Sequence, residues 1–126
     1  MCVVLVVDDS AMVRMRVART LTDGGFEVAV AEDGLDAWEK LTNGLRPRLI
    51  VCDINMPRMN GLELLETLRE QEEFDDLAIV MLTTEGQPEL IRRARGLGAR
   101  GWLVKPLQPE LLLTAAARLT GVSEAA

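Results

Sequence analysis

The sequence predicts an α/β fold, a single doubly wound sheet of five parallel strands with helices on both faces. Five short apolar runs alternate with five segments of helical spacing along the 126 residues. Four of the runs are continuous rather than alternating, which is typical of strands that helices cover on both faces. The length is that of one globular domain. We therefore interpret residues 1–126 as one domain that ends in a short tail at 120–126.

The apolar runs are the predicted strands. The second run alternates between polar and apolar residues, which indicates an edge strand with one wetter face. The other four are continuous in Val, Ile, Leu, Met or Trp, and right-handed crossovers would join them. In chain order the five runs are Val3–Val7, Glu27–Ala31, Leu49–Cys52, Ala78–Leu82 and Trp102–Val104.

Capping residues mark the helices that lie between the strands. Asp33 and Asn60 are good N-caps, and Glu63 follows Asn60 by three residues as in a capping box. Pro88 and Pro109 suit the first turns of the fourth and fifth helices. Glycines that suit helix ends are Gly24, Gly25 and Gly44.

Polar side chains follow four of the five strands. They are Asp8 and Asp9, Asp53, Thr83, and Lys105. Doubly wound sheets bind ligands beyond the carboxyl ends of their strands, near the point where the strand order reverses. In the flavodoxin-like order 2-1-3-4-5, the first and third strands are neighbours. The three aspartates would then share one pocket, with Thr83 and Lys105 beside it.

The charge of this pocket predicts a divalent cation. Three carboxylates and one ammonium leave two surplus negative charges. Like charges about 4 Å apart repel by about 4 kcal/mol at an effective dielectric constant of 20. An open site with only oxygen ligands favours Mg²⁺ over zinc or a calcium cage.

The same residues indicate phosphoryl chemistry on a carboxylate. A cation, a lysine and a hydroxyl that converge on an aspartate can hold the oxygens of a phosphoryl group. The chain contains no histidine, which excludes Ser-His-Asp catalysis and a phosphohistidine of its own. Attack by an aspartate of the pocket, which gives an aspartyl phosphate, is the covalent route that remains. A glycine-rich phosphate loop is absent, so a bound nucleotide is not indicated.

Composition excludes several other classes of function. A net charge of −6 argues against direct binding to nucleic acid. The longest apolar run, Cys2–Val7, is too short for a membrane span, and its flanks lack the charged start and small-residue cleavage site of a signal peptide, so we expect neither. Two cysteines, Cys2 and Cys52, fit a reducing cytoplasm. The side chain of Cys52 is predicted to point to the opposite face of the strand from Asp53 and to be buried in the core. If Asp8 and Asp53 are level in the sheet, Cys2 and Cys52 are offset by about 16 Å along the strands, which is too far for a disulfide.

Four segments resemble the receiver domain of two-component response regulators, and the resemblance spans essentially the whole chain. They are VVDDS at 6–10, CDINMPRMNG at 52–61, LTTE at 82–85 and GWLVKP at 101–106. The resemblance implies that Asp53 accepts a phosphoryl group from a histidine kinase or phosphotransfer protein. It also implies that the protein is a switch that catalyses only its own phosphorylation and dephosphorylation.

The resemblance assigns roles to the other residues of the pocket. Asp9 and Asp53 would bind Mg²⁺ directly, with the backbone carbonyl of Asn55 as a third ligand. Asp8 would act mostly through water. Lys105 would contact the phosphoryl oxygens, and the bond between Lys105 and Pro106 would be cis.

A switch and an output face are implied in the same way. Thr83 would move toward the phosphoryl group, and Trp102 would turn inward with it. The face of the fourth helix, fifth strand and fifth helix would then bind a target protein. The family usually has Tyr or Phe where this chain has Trp102. Asn55 and Glu85 match the positions that tune phosphate loss, and the pair is like that of short-lived chemotaxis regulators.

Two other readings of the sequence stay open. A phosphatase or phosphotransferase of the haloacid dehalogenase type also uses an Asp nucleophile and Mg²⁺, but it expects Asp-x-Asp where this chain has adjacent Asp8 and Asp9. A pseudo-receiver would bind partners without phosphate, but such proteins usually lose an acidic residue or the lysine. The sequence does not separate a single-domain regulator from a fragment of a longer one.

Overall fold

A computed structural model describes residues 3–84 and 88–121. Its strands are β1 (Val3–Val7), β2 (Glu27–Ala31), β3 (Leu49–Asp53), β4 (Ala78–Thr83) and β5 (Gly101–Val104). All four strand pairs are parallel, and the order in the sheet is β2-β1-β3-β4-β5. The predicted flavodoxin-like order is therefore confirmed.

Within the described ranges, five α-helices alternate with the strands. They are α1 (Ala11–Asp23), α2 (Gly34–Thr42), α3 (Gly61–Arg69), α4 (Pro88–Gly96) and α5 (Pro109–Thr120). One 3₁₀ turn, Glu72–Phe74, lies between α3 and β4. No helix in the described ranges is long and apolar enough to cross a membrane.

Helix ends follow the predicted caps. The Asp33 side chain accepts a hydrogen bond from the amide of Asp36, and the Asn60 capping box with Glu63 has both of its hydrogen bonds. Gly25 and Gly44 adopt φ angles of 96° and 110° just after α1 and α2, which is the left-handed backbone that helix ends commonly need. The start of α1 has a cap that the sequence analysis did not identify, the hydroxyl of Ser10.

The core has two halves, one on each face of the sheet. Alternate residues of a strand point to opposite faces, so Leu5 and Val7 pack toward α2, α3 and α4. Val4 and Val6 pack toward α1 and α5. All four valine and leucine side chains are fully buried. Central β1, β3 and β4 are therefore covered on both sides, as their continuous apolar sequences predicted.

The structure differs from the predictions at the ends of β3 and β4, in the exposure of β5 and at the start of the tail. Asp53 and Thr83 are the last residues of β3 and β4 rather than the first residues after them. Strand β5 is an edge strand that is only partly covered, with Val104 44% exposed, because no strand follows it in the sheet. Thr120, assigned to the tail, is the buried last residue of α5. Gly121, also assigned to the tail, is the C-cap of α5, and 122–126 lie outside the described residues.

Candidate functional site

The sheet brings two aspartates to the same level on neighbouring strands. Val7 pairs with Cys52 in the register of β1 and β3, so Asp8 and Asp53 follow side by side. Asp8 is fully buried and Asp53 is 5% exposed. Asp9 is exposed at the rim. Parallel pairing therefore places the two buried carboxyls at the carboxyl ends of the central strands, where such sheets bind ligands.

The three aspartates form one cluster. Each of Asp8, Asp9 and Asp53 offers a carboxylate oxygen, and these oxygens lie within 4.8 Å of one another. The predicted pocket is therefore present. Like charges at this separation repel, so the cluster is unfavourable unless a positive charge or a proton offsets it.

Lys105 supplies one positive charge to the cluster. Its Nζ lies 3.1 Å from Oδ2 of Asp8 and 3.4 Å from Oδ2 of Asp53. The Lys105 backbone amide donates to the carbonyl of Thr83 at 2.8 Å, which holds the lysine to the end of β4. Burial lowers the pKa of Lys105, but the carboxylates of Asp53 and Asp8 outweigh it and raise the pKa above its ordinary value. The bond between Lys105 and Pro106 is cis, as predicted.

Asp53 is the carboxyl whose proton affinity changes most clearly. Burial and the charge of Asp8 raise its pKa from 3.8 to about 6, although Lys105 and the amide of Asn55 oppose the shift. One lysine therefore does not neutralise the cluster completely. The remaining negative charge is what a divalent cation would offset.

The donor atoms fit Mg²⁺. All the available ligands are oxygens, the set that hard divalent cations prefer. Oδ1 of Asp8 accepts the amide of Ser10 at 2.9 Å. Oδ2 is buried and accepts no well-formed hydrogen bond from any described residue, although it faces Lys105. The amide of Asn55 donates to Oδ1 of Asp53 at 3.3 Å, which keeps the Asn55 backbone beside the cluster.

Thr83 and Trp102 lie on the β4 and β5 side of the cluster. Thr83 is buried at the end of β4 and pairs in register with Val104. Trp102 is partly buried against the α4 side of the core. Thr83 follows Leu82, which pairs with Asp53 in the register of β3 and β4. Glu85, predicted to tune phosphate loss, lies outside the described residues.

The predicted burial of Cys52 is confirmed. Its side chain is fully buried in the half of the core that faces α3. Burial and the charges of Asp53 and Asp8 raise the pKa of its thiol far above the ordinary value, so the thiol stays protonated and does not act as a nucleophile. Cys2 lies outside the described residues.

Three arginines near the site have contacts that the sequence analysis missed. Arg14 donates to the carbonyl of Asp8 at 2.7 Å, and Arg58 donates to the carboxylate of Asp33 at 2.6 Å. The Arg95 guanidinium lies over the ring of Trp102. Arg58 and Asp33 are 25 residues apart, whereas Arg14 contacts a residue only six positions away. No local motif signals any of the three contacts. The three partners were predicted, Asp33 as an N-cap and Asp8 and Trp102 as site residues, but the arginines that contact them were not.

Comparison with known proteins identifies a family. A model of the response regulator receiver domain matches residues 4–117. The chemotaxis protein CheY homolog of Campylobacter jejuni is 40% identical over 109 residues, which cover 86% of this chain and 84% of the relative. Chemotaxis protein CheY1 of Helicobacter pylori is also 40% identical over 109 residues, with coverage of 86% and 88%.

Solved structures agree with the sequence relatives. Chemotaxis response regulator CheY4 of Vibrio cholerae superposes with a TM-score of 0.86 and 44% identity, covering 94% of this chain and 98% of that one. The receiver domain of NtrX from Brucella abortus superposes with a TM-score of 0.85 and 33% identity, covering 95% and 99%. The fold and the order of the strands are thus shared with these proteins.

Proposed function

This chain belongs to the family of response regulator receiver domains, and on that premise we propose that Asp53 is its phosphoacceptor. The chain is a chemotaxis-regulator-like receiver of two-component signalling, a class of signalling proteins rather than classical enzymes. Such receivers work with histidine kinases and downstream targets. The phosphodonor proposed here is the phosphohistidine of a kinase or phosphotransfer protein.

One observation carries the proposal. Asp53 lies at the end of a central strand beside Asp8, and the Lys105 ammonium faces both carboxylates within 3.4 Å. In the proposed step, a carboxylate oxygen of Asp53 attacks the phosphorus atom of the donor. The new phosphorus–oxygen bond forms as the phosphorus–nitrogen bond breaks, and the leaving imidazole keeps the electron pair and takes a proton from solvent. The Lys105 ammonium attracts the phosphoryl oxygens as they arrive.

Mg²⁺ is the proposed cofactor. Receiver domains bind it at an acidic pocket, and here Asp9, Asp53 and the carbonyl of Asn55 would hold it, with Asp8 acting mostly through water. When bound, the cation neutralises charge on the carboxylates and the phosphoryl oxygens. The oxygens of the three aspartates are close enough to share one cation, and this supports the assignment.

The switch is proposed to run through Thr83 and Trp102. The backbone bond from Lys105 to the carbonyl of Thr83 links the end of β4 to the residue that would contact the phosphoryl group. A shift of Thr83 would be transmitted to β5, which pairs with β4 and carries Trp102. The proposed output is a changed face of α4, β5 and α5, where Val104 and Leu111 are 44% and 53% exposed and available to a protein partner.

Two further assignments belong to the same proposal. Asn55 and Glu85 would tune how fast the phosphate is lost, and the exposed side chain of Asn55 beside Asp53 is free to meet an attacking water. A cytoplasmic location, predicted from the two cysteines, is consistent with a histidine kinase partner.

The test is labelling with acetyl phosphate and Mg²⁺, followed by intact mass. We expect wild type to gain one phosphoryl group and Asp53→Asn to gain none. Asp75→Asn removes an exposed carboxylate that precedes β4, at the opposite end of that strand from Thr83, and should label like wild type. Labelling that persists in Asp53→Asn would contradict the assignment. Unmodified wild type would favour a pseudo-receiver, and turnover of small phosphate esters with burst kinetics would favour a dehalogenase-type phosphatase.

A further inference from the structure

The loop between β3 and α3, residues 54–60, carries the Asn55 backbone to the acidic pocket. Its near side is held by three hydrogen bonds, of which the first runs from the amide of Ile54 to the carbonyl of Leu82 at 3.1 Å. The amide of Asn55 donates to Oδ1 of Asp53, and the amide of Gly61 donates to the carbonyl of Ile54 at 3.0 Å. Ile54 is buried, and Met56 and Met59 pack partly against the core. Asn55, Pro57 and Arg58 are exposed, so packing of their own side chains does not hold these three residues in place.

The far side of the loop is tied to the start of α2. Nε of Arg58 donates to Oδ2 of Asp33 at 2.6 Å, and the amide of Gly34 donates to the carbonyl of Met59 at 2.9 Å. The side chain of Asp33 is only 5% exposed, and its other oxygen caps α2 through the amide of Asp36. Asp33 therefore ties the loop to a fixed helix end rather than to a mobile surface side chain.

The backbone of Arg58 is itself in an uncommon conformation. Its φ is 63°, and it is the one non-glycine residue in the described ranges with a positive φ. Glycine or asparagine adopts this conformation at lower cost. Strained backbone persists where surrounding contacts over-determine it, and such positions concentrate at functional sites. An arginine at this position indicates that its side chain makes a contact that glycine or asparagine would not make.

We propose that Arg58 is a positioning residue for the Mg²⁺ site, holding the Asn55 backbone beside Asp53 through its ion pair with Asp33. The inference rests on the proposed function, because it takes the Asn55 carbonyl as a metal ligand. Glu32 lies 3.9 Å from the same guanidinium and adds a weaker attraction. The pair joins the segment that follows β2 to the loop that follows β3, so the loop is anchored to an element other than its own strand.

Four variants separate positioning from simple stabilisation. Arg58→Asn suits the left-handed backbone and removes the ion pair, and Asp33→Asn keeps a good N-cap and removes the same pair. Arg58→Lys retains the charge. Arg93→Asn is the control, because Arg93 makes a comparable surface ion pair with Glu66 at 3.0 Å away from the loop.

The readouts are Mg²⁺ binding by calorimetry and the Mg²⁺ dependence of acetyl phosphate labelling. We expect Arg58→Asn and Asp33→Asn each to raise the half-saturating Mg²⁺ concentration about tenfold, the low end of what loss of a supporting partner costs a metal site. The rate at saturating Mg²⁺ should change little. The double variant, Arg58→Asn with Asp33→Asn, should have the same half-saturating Mg²⁺ concentration as either single variant. Arg58→Lys should recover much of the Mg²⁺ affinity.

The outcomes distinguish this inference from the proposed function. Wild type that binds Mg²⁺ and is labelled, with Arg58→Asn matching Arg93→Asn in half-saturating Mg²⁺, overturns the positioning role alone. The positioning role is also overturned if Arg58→Asn lowers the urea unfolding midpoint as much as Arg93→Asn does and leaves the Mg²⁺ affinity unchanged. Wild type that binds no Mg²⁺ by calorimetry overturns the proposed function and the positioning role together.

Discussion

The guanidinium of Arg95 lies over the indole ring of Trp102, with Cζ 4.6 Å from the ring centroid. Arg95 is an exposed residue of α4, and Trp102 is a partly buried residue of β5. Tryptophan has the most favourable ring for such a cation–π contact. The contact therefore stabilises one orientation of the indole at the position proposed to switch.

Removal of the Arg95 guanidinium should expose the indole. We expect Arg95→Gln to increase acrylamide quenching of Trp102 fluorescence and to lower stability by about 0.5–1 kcal/mol. The experiment needs a Trp38→Phe background, because Trp38 packs edge-on against Phe74 and would emit as well. Arg92→Gln, an exposed change on the same helix, is the control. Equal quenching in both variants would show that Arg95 does not hold the ring.

The contribution of Asp53 to the stability of the metal-free protein should fall as pH rises through the range where Asp53 ionises. Its pKa is about 6 in the folded protein and near 3.8 when unfolded. The folded state therefore keeps a proton that the unfolded state has released. This contribution, up to about 3 kcal/mol, is complete below about pH 4 and is lost as pH passes about 6.

Asp53→Asn isolates that effect. The difference in unfolding free energy between the variant and wild type, from urea titrations in chelator, should grow in favour of the variant from pH 4 to pH 7. Carboxylates common to both proteins cancel in the difference. A difference that stays flat across this range would be inconsistent with a raised pKa for Asp53.

Mg²⁺ should restore the stability that the folded protein loses when Asp53 ionises at neutral pH. A ligand that binds only the folded state stabilises it by about 2.7 kcal/mol at one hundred times its dissociation constant. We expect Mg²⁺ to raise the melting temperature of wild type at pH 7 and to do so much less in Asp53→Asn. The effect should weaken at pH 4.5, where Asp53 is protonated. Equal shifts in the two proteins would place the cation elsewhere.

The pair of Asp33 and Arg58 should show the opposite pH dependence. Burial raises the pKa of Asp33, but Arg58 and the amide of Asp36 outweigh it, and the pKa lies below 3.8. The stabilisation is therefore present above about pH 4 and lost as pH falls through the lower folded pKa. Asp33→Asn should have a lower urea midpoint than wild type at pH 7, and the gap should narrow below pH 4.

Gly61 should tolerate no side chain. A Cβ there would lie 2.5 Å from the carbonyl oxygen of Asp53 and 2.6 Å from Cε of Met81. We expect Gly61→Ala to lose about 1–3 kcal/mol of unfolding free energy and to slow acetyl phosphate labelling, because the strand end must shift. Gly96→Ala, with nothing within 4 Å of the added methyl group, should be neutral or slightly stabilising in the same urea titration.

Much of the site could be predicted because its residues mark the ends of strands. The aspartates at 8 and 53 follow buried apolar runs, and parallel strands end at one edge of a sheet, so their proximity was predictable from register alone. Trp102 was harder to place. Its run is as apolar as the central strands, but β5 is an edge strand, and exposure depends on what lies beside a strand rather than on its own sequence.

Local patterns in the sequence by themselves determined the helices, the strands, the caps at Asp33 and Asn60, and the set of strand-end residues. Each depends on neighbours within a few positions along the chain. The tertiary structure decided which oxygen of Asp8 faces Lys105, and it brought Arg58 to Asp33 and Arg95 to Trp102. Such contacts join separate elements. Their partners are set by how helices pack on the sheet, which no single segment encodes.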